Sequence, residues 1–180
     1  MKTLCGERIN VRVSIEEYLR TSYRPDCDYV DGEVLERNWG EHDHSDLQSE
    51  LVYYFRARRR QWPLHAVVEQ RVQVTPTRFR IPDVCVIKGG GPYTPIFREP
   101  PFICIEVLSI EDTQMRMEDR IDDYLKFGVP YVWIINPASR RVFTHDANGI
   151  REVKDGVLRT KNPAIEVSLA EVFGGLSGQS

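Results

Sequence analysis

The chain has 180 residues, a length that suits one domain with one sizeable hydrophobic core. Hydrophobic residues make up 41% of the sequence and charged residues 28%, a balance that excludes a chain disordered throughout. The net charge of −3 argues against a generally cationic nucleic-acid binder, but it is compatible with a local basic patch.

Two further features predict a cytoplasmic protein with no membrane part. No apolar run approaches the length of a membrane span, and the first seven residues contain no apolar segment of the kind a signal peptide needs. The four cysteines are scattered without metal-ligand spacing, and Cys85 and Cys104 lie in apolar, β-prone segments. We interpret these two as small core residues in a reducing compartment.

The N-terminal half predicts two helices with a hairpin between them. Ser14 is an N-cap for a short helix over residues 15–20. An Asp-Gly pair between apolar pairs predicts a hairpin over residues 29–35. Residues 39–45 are polar and read as a loop, and apolar residues at helical spacing predict a longer helix from about 45 to 61.

The remainder of the chain predicts a strand–helix–strand unit inside a larger sheet. The expected strands are 65–74, 82–87, 102–108, 131–135 and 141–145, with a helix over 110–127 and a short helix near 168–173. The fold class is therefore α/β, with helices covering a central mixed sheet. We predict a single domain over residues 1–180, with a core of about 14–173 and a flexible tail over 174–180.

Two acids interrupt apolar segments of this predicted sheet. Asp83 precedes four apolar residues, and Glu106 follows another four. An acid in such a segment is costly to bury unless a positive charge pairs with it. Either acid alone is more simply a strand-end residue that pairs with an arginine or caps a helix. Together, on neighbouring strands, they favour a shared hard cation such as Mg²⁺.

Four motifs, taken in order, resemble the signatures of one family. They are Asp31-Gly32-Glu33, Pro82-Asp83-Val84, Glu106-Val107-Leu108-Ser109 and Gly128-Val129-Pro130-Tyr131-Val132-Trp133. The chain resembles the bacterial Uma-two family of proposed restriction endonucleases, within the PD-(D/E)XK nuclease superfamily, from about residue 14 to residue 173. This resemblance implies a restriction-endonuclease-like fold and Mg²⁺-dependent cleavage of DNA, with Mn²⁺ as an expected substitute.

The resemblance also implies a role for individual residues. Asp83 matches the motif aspartate and Glu106 the second acid, and the main-chain carbonyl of Val107 would be a further metal ligand. The superfamily lysine would stand at Leu108. In the Uma-two family the lysine comes instead from the following helix, where this chain has Arg120. Arginine stays protonated and cannot act as a general base, but it can stabilise charge on a phosphate.

Two more residues match family positions. Glu33 follows the Asp-Gly pair and is either a third acid of the site or a surface residue of the hairpin. His44 matches a family histidine at the start of the long helix, a position that favours a structural role or a substrate contact over metal binding.

The sequence therefore supports more than one function. The first hypothesis is a Mg²⁺-dependent endonuclease acting on DNA, with a homodimer left open. The alternative is a catalytically weakened nuclease-fold protein that binds nucleic acid or a protein partner, which the arginine at position 120 favours. A third is a toxin-like or regulatory accessory protein whose activity needs an assembly.

Overall fold

A computed structural model describes residues 12–37, 42–89, 94–109 and 112–176. The helices are α1 (Ile15–Arg20), α2 (His42–Ala57), α3 (Gln114–Phe127) and α4 (Leu169–Gly174). The strands are β1 (Cys27–Val30), β2 (Glu33–Glu36), β3 (Leu64–Val68), β4 (Val72–Thr75), β5 (Arg78–Arg80), β6 (Val84–Lys88), β7 (Ile103–Val107), β8 (Tyr131–Ile135), β9 (Val142–Asp146), β10 (Gly149–Glu152), β11 (Val157–Lys161) and β12 (Ala164–Ser168).

A mixed sheet forms the centre of the molecule, as the sequence predicted. Its strand order is β10-β9-β8-β7-β6-β3. Strands β7 and β8 are parallel and are joined through α3, whereas the other neighbouring pairs are antiparallel. A second sheet has the order β2-β1-β5-β4, and β11 pairs with β12 as a separate hairpin.

The two faces of the central sheet pack against different helices. Alternation along β7 sends Ile103, Ile105 and Val107 to the core that includes α2 and α4 residues. Cys104 points the other way, into the core built with α3. Glu106 alternates with Ile105 and Val107 and therefore lies on the α3 side, the same face as Cys104.

Local sequence signals agree with the N-terminal elements. The Ser14 hydroxyl accepts a hydrogen bond from the Glu17 amide, as expected of an N-cap. The predicted hairpin turns at Asp31 and Gly32, whose φ values of 50° and 102° give the pair of left-handed residues that tight hairpins need. Gly128 ends α3 with a φ of 103°.

Several predicted boundaries were wrong. Helix α2 begins at His42, inside the stretch predicted as a loop, and ends at Ala57. The single strand predicted over 65–74 is two strands, because the chain turns at Glu69, whose φ is 49°. Helix α3 begins at Gln114, where Thr113 caps it. Strand β5 was not predicted, since three residues are too few to show a period.

At the C-terminal end, Gly174 closes α4, and Leu176 packs against the core. The rest of the predicted tail, 177–180, lies outside the described residues. Among the helices of the described ranges, none combines the length and the apolar character needed to cross a membrane.

Candidate active site

The strand register brings the two predicted acids together. In the antiparallel pair, Val84 lies opposite Ile105 and Cys85 opposite Cys104. Continuing this register by one residue places Asp83 opposite Glu106, so the two side chains leave the same face of the sheet. Both residues are buried. Asp83, directly before β6, and Glu106, near the end of β7, thus form one acidic pair.

Asp83 is held from three directions. Its Oδ2 accepts a hydrogen bond from the Val107 amide at 2.7 Å and lies 3.3 Å from Nε2 of His44. Its main-chain carbonyl accepts from the Gln48 side-chain amide at 2.7 Å. Strand β7 and helix α2 therefore fix both the main chain and the carboxylate of Asp83. His44, near the start of α2, therefore contacts Asp83, the first acid of the pair.

Glu106 is held chiefly by α3. Its Oε1 accepts a hydrogen bond from the Tyr124 hydroxyl at 2.6 Å, and its Oε2 accepts one from Nη1 of Arg120 at 3.3 Å. Arg120 and Tyr124 are one helical turn apart and project from the same face of α3. The predicted contact between Arg120 and the acidic pair is present, whereas Leu108 packs with the apolar core on that side.

A second arginine, which sequence reasoning missed, lies between the two acids. Nη2 of Arg37 forms a salt bridge with Oδ1 of Asp83 and lies 3.8 Å from Oε2 of Glu106. Arg37 directly follows β2 in a polar stretch, so no local pattern distinguishes it. One cationic nitrogen is therefore shared by both carboxylates.

The acidic pair belongs to a longer row of alternating charges, which we call the charge ladder. Nε of Arg120 lies 3.3 Å from Oδ2 of Asp28, and that oxygen accepts a hydrogen bond from Nη1 of Arg80 at 3.1 Å. Asp28 is a buried acid inside a short strand, the same signal that singled out Asp83 and Glu106. The members of the charge ladder, in order, are Asp83, Arg37, Glu106, Arg120, Asp28 and Arg80.

Glu33 lies elsewhere. It is exposed at the start of β2, opposite Val30 in the smaller sheet. Asp28, on the paired strand β1, is the acid of this hairpin that belongs to the charge ladder, where it contacts Arg120 and Arg80. The role of Glu33 as a third acid stays a prediction.

The donor set suits a hard cation. In the part of the chain that the structure describes, no group of three or more His, Cys, Asp or Glu side chains is arranged as a metal site. Mg²⁺, however, is typically held by one or two carboxylates with water and phosphate oxygens completing the octahedron. Asp83 and Glu106 already share one positively charged nitrogen, that of Arg37, so their geometry admits a shared cation.

The pKa values of the two carboxyls are shifted in opposite directions. Burial alone would raise the pKa of Asp83, but Arg37, His44 and the Val107 amide outweigh it and hold that pKa below its ordinary value. Burial raises the pKa of Glu106 to about 7, and the Asp83 charge acts in the same direction, against Arg120. The lowered pKa favours the ionised form of Asp83 at neutral pH, whereas a pKa of about 7 leaves Glu106 partly protonated there.

This shift predicts a pH dependence of stability in EDTA. The folded protein binds the Glu106 proton more tightly than the unfolded chain does, so this contribution is complete below the ordinary pKa of 4.5 and declines as the pH rises through about 7. We expect the free energy of unfolding, measured in urea, to fall as the pH rises from 4.5 to about 7. The Glu106→Gln substitution should remove the part of this pH dependence that Glu106 contributes.

His44 needs separate treatment in that experiment. Burial lowers its pKa, but Asp83 more than compensates, so the pKa of His44 is raised and its contribution to stability also falls as the pH rises. His44 remains in the Glu106→Gln protein, so the difference between the two slopes reports the Glu106 titration together with the effect of the Glu106 charge on the pKa of His44. An identical slope in both proteins would contradict the predicted shift.

A small cavity adjoins the acidic pair. It measures about 80 Å³, and His44, Leu108, Ser109 and Asn136 contribute to its lining. His44 connects it to the site through the contact with Asp83. The cavity therefore presents polar side chains next to His44, one contact away from Asp83.

A family model described as Uma2, "Putative restriction endonuclease", matches residues 15–177. The chain belongs to the Uma2 family. The Uma2 chain also resembles the crystal structure of a putative nuclease belonging to DUF820 from Anabaena variabilis, with a TM-score of 0.79 and 23% identity. The likeness covers 91% of this chain and 99% of that one, and at this identity it concerns the fold.

No curated protein matches this Uma2 chain. The family and the fold confirm the restriction-endonuclease-like architecture that the motif order implied. Together they indicate a protein of the restriction-endonuclease-like nuclease class.

Proposed function

We propose that this Uma2 protein is a Mg²⁺-dependent endonuclease that hydrolyses phosphodiester bonds of DNA, with Asp83 and Glu106 holding the metal. The observation that carries the proposal is the pair of buried carboxylates, on adjacent strands, that share one cationic nitrogen. A bound Mg²⁺ supplies a water of lowered pKa and stabilises charge on the phosphoryl group.

The side chains around the pair have distinct tasks in this proposal. Tyr124 orients Glu106 through the 2.6 Å hydrogen bond, and the Val107 amide orients Asp83. Arg120 provides a fixed positive charge beside Glu106, suited to a phosphate whose negative charge grows in the transition state. The Val107 carbonyl is the proposed third protein ligand, and the side chains of the adjoining cavity contact the substrate.

A series of Arg120 variants tests the role of that charge. We expect Arg120→Ala to cleave about 10²-fold or more slowly than wild type, because it removes a preorganised cation from the site. Arg120→Lys keeps the charge and should cleave. A lysine variant faster than wild type would assign a proton-transfer role to this position, since lysine can lose its proton and arginine cannot.

The measurement is single-turnover cleavage of plasmid DNA with Mg²⁺ or Mn²⁺ at matched protein concentration. Lys126→Ala, at an exposed cation of the same helix, is the control and should behave as wild type. Circular dichroism establishes that each variant is folded. Equal rates for wild type, Arg120→Lys and Arg120→Ala would show that Arg120 has no part in catalysis.

A catalytically weakened nucleic-acid binder is the second candidate. It is favoured by the arginines, since Arg37 and Arg120 already neutralise the acids and Leu108 stands where the superfamily has lysine. The two candidates differ in a simple assay. Retarded migration of DNA without cleavage in either Mg²⁺ or Mn²⁺ would favour the binder, whereas metal-dependent nicking supports the nuclease.

A further inference from the structure

We propose that Arg37 is an internal competitor of the metal: its guanidinium occupies the space between Asp83 and Glu106, and it must leave when a divalent ion binds there. The inference rests on the proposed metal site and adds a residue that controls its affinity. It follows from one nitrogen, Nη2, which contacts both carboxylates.

Charge balance requires the exchange. The acidic pair carries at most two negative charges and already faces Arg37 and Arg120. A divalent ion added to both arginines would leave excess positive charge in a buried site, where it is poorly screened. Loss of one arginine halves that excess, and Asp112, 3.7 Å from Arg120, offsets the rest. Mg²⁺ also approaches carboxylate oxygens to about 2.0–2.1 Å, closer than a guanidinium, so it replaces the lost attraction.

Arg37 is the arginine that can leave. The ion pairs that the described residues show for it are with Asp83 and Glu106, the two groups that the metal would bind. Its side chain is 11% exposed, and the residue follows the last residue of β2, so its side chain can move without breaking strand pairing.

Arg120 is held differently. It comes from the middle of α3 and contacts Asp28 and Asp112 in addition to Glu106, at 3.3 and 3.7 Å. Those two acids keep it in place when the charge on Glu106 is taken by a metal. The structure thus distinguishes a removable cation between the two acids, Arg37, from a permanent one beside Glu106, Arg120.

The test is the affinity for Mn²⁺, measured on the full chain by calorimetry and by the electron paramagnetic resonance signal of free Mn²⁺. Arg37→Gln removes the charge and leaves a shorter, polar side chain. We expect it to bind Mn²⁺ roughly tenfold more tightly than wild type, because the ion no longer displaces a cation. Arg20→Ala, at an exposed ion pair on α1, is the control and should match wild type.

A second measurement uses the wild-type protein and needs no folded variant. In NMR spectra, the Nε–H resonance of an arginine reports whether its guanidinium is fixed in an ion pair. On addition of Mg²⁺, the Arg37 resonance should move to the position of a free arginine, while the Arg120 resonance stays apart from it.

The outcomes separate the two proposals. Equal or weaker Mn²⁺ binding by Arg37→Gln, or an Arg37 resonance that ignores a bound metal, overturns the competition and leaves the metal site standing. Absence of Mn²⁺ binding in wild type and in Arg37→Gln alike removes the proposed metal site and the competition with it.

Discussion

Asp83→Asn is expected to abolish Mg²⁺-dependent DNA cleavage and to leave the fold intact. Asparagine has the shape of aspartate, and its side-chain oxygen can still accept the hydrogen bond from the Val107 amide. It lacks the negative charge that a divalent ion requires. Because the metal contributes several kcal/mol of transition-state stabilisation, we expect cleavage to fall by about 10³-fold or more.

The matched control for this variant is Asp122→Asn. Asp122 is exposed on α3, where it pairs with Lys126, so the same chemical change there should leave cleavage unaltered. Plasmid nicking with Mg²⁺ and Mn²⁺ gives the rates, and thermal unfolding in EDTA establishes that both variants are folded. Wild-type cleavage by a folded Asp83→Asn protein would rule out this active site.

Arg80→Met is expected to cause the largest loss of stability. The Arg80 side chain is 2% exposed and donates to Asp28 at 3.1 Å and to Asp123 at 2.7 Å, besides its contact with Asp119. Methionine fills much of the volume but leaves Asp28 and Asp123 buried without that cation. Removing one partner of a buried ion pair costs about 3–5 kcal/mol, and we expect a loss of this size in urea unfolding.

Arg78→Met is a control on the same strand. Arg78 pairs with Asp31 and Asp123, but its side chain is 29% exposed, so water can replace the lost contacts. We expect a cost of about 1 kcal/mol or less. The double variant Arg80→Met, Asp28→Asn should lose less than the sum of the two single losses, because it removes both partners. Similar losses for Arg78→Met and Arg80→Met would contradict the special role of the buried arginine.

Local signals in the sequence determined much of the secondary structure. Ser14 and the Asp31-Gly32 pair each specify a cap or a turn through their own chemistry, and each lies where it was predicted. Gly128 directly follows the helix predicted over 110–127 and ends it. Boundaries without such a residue were displaced from their predicted positions. The turn at Glu69 uses a left-handed conformation that no glycine signals, so one predicted strand is two.

The sequence also predicted that Asp83 and Glu106 lie on neighbouring strands. Asp83 and Glu106 stand in apolar segments, where an acid needs a partner, and the motif order pointed to the same two residues. The strand register places them side by side, and Arg120 reaches Glu106 from the predicted helix. The alternation of side chains along a strand and the cost of burying an acid are both properties of short segments, so both can be recognised in the sequence alone.

Only the tertiary structure shows that Arg37 and Arg80 pair with these buried acids. Arg37 precedes Asp83 by 46 residues, and Asp28 precedes Arg80 by 52. Neither arginine lies in a pattern that separates it from the exposed arginines of the chain. Their partners are determined by the packing of the smaller sheet beside β6, β7 and α3. A contact between segments that are distant in the sequence produces no periodic pattern in either segment.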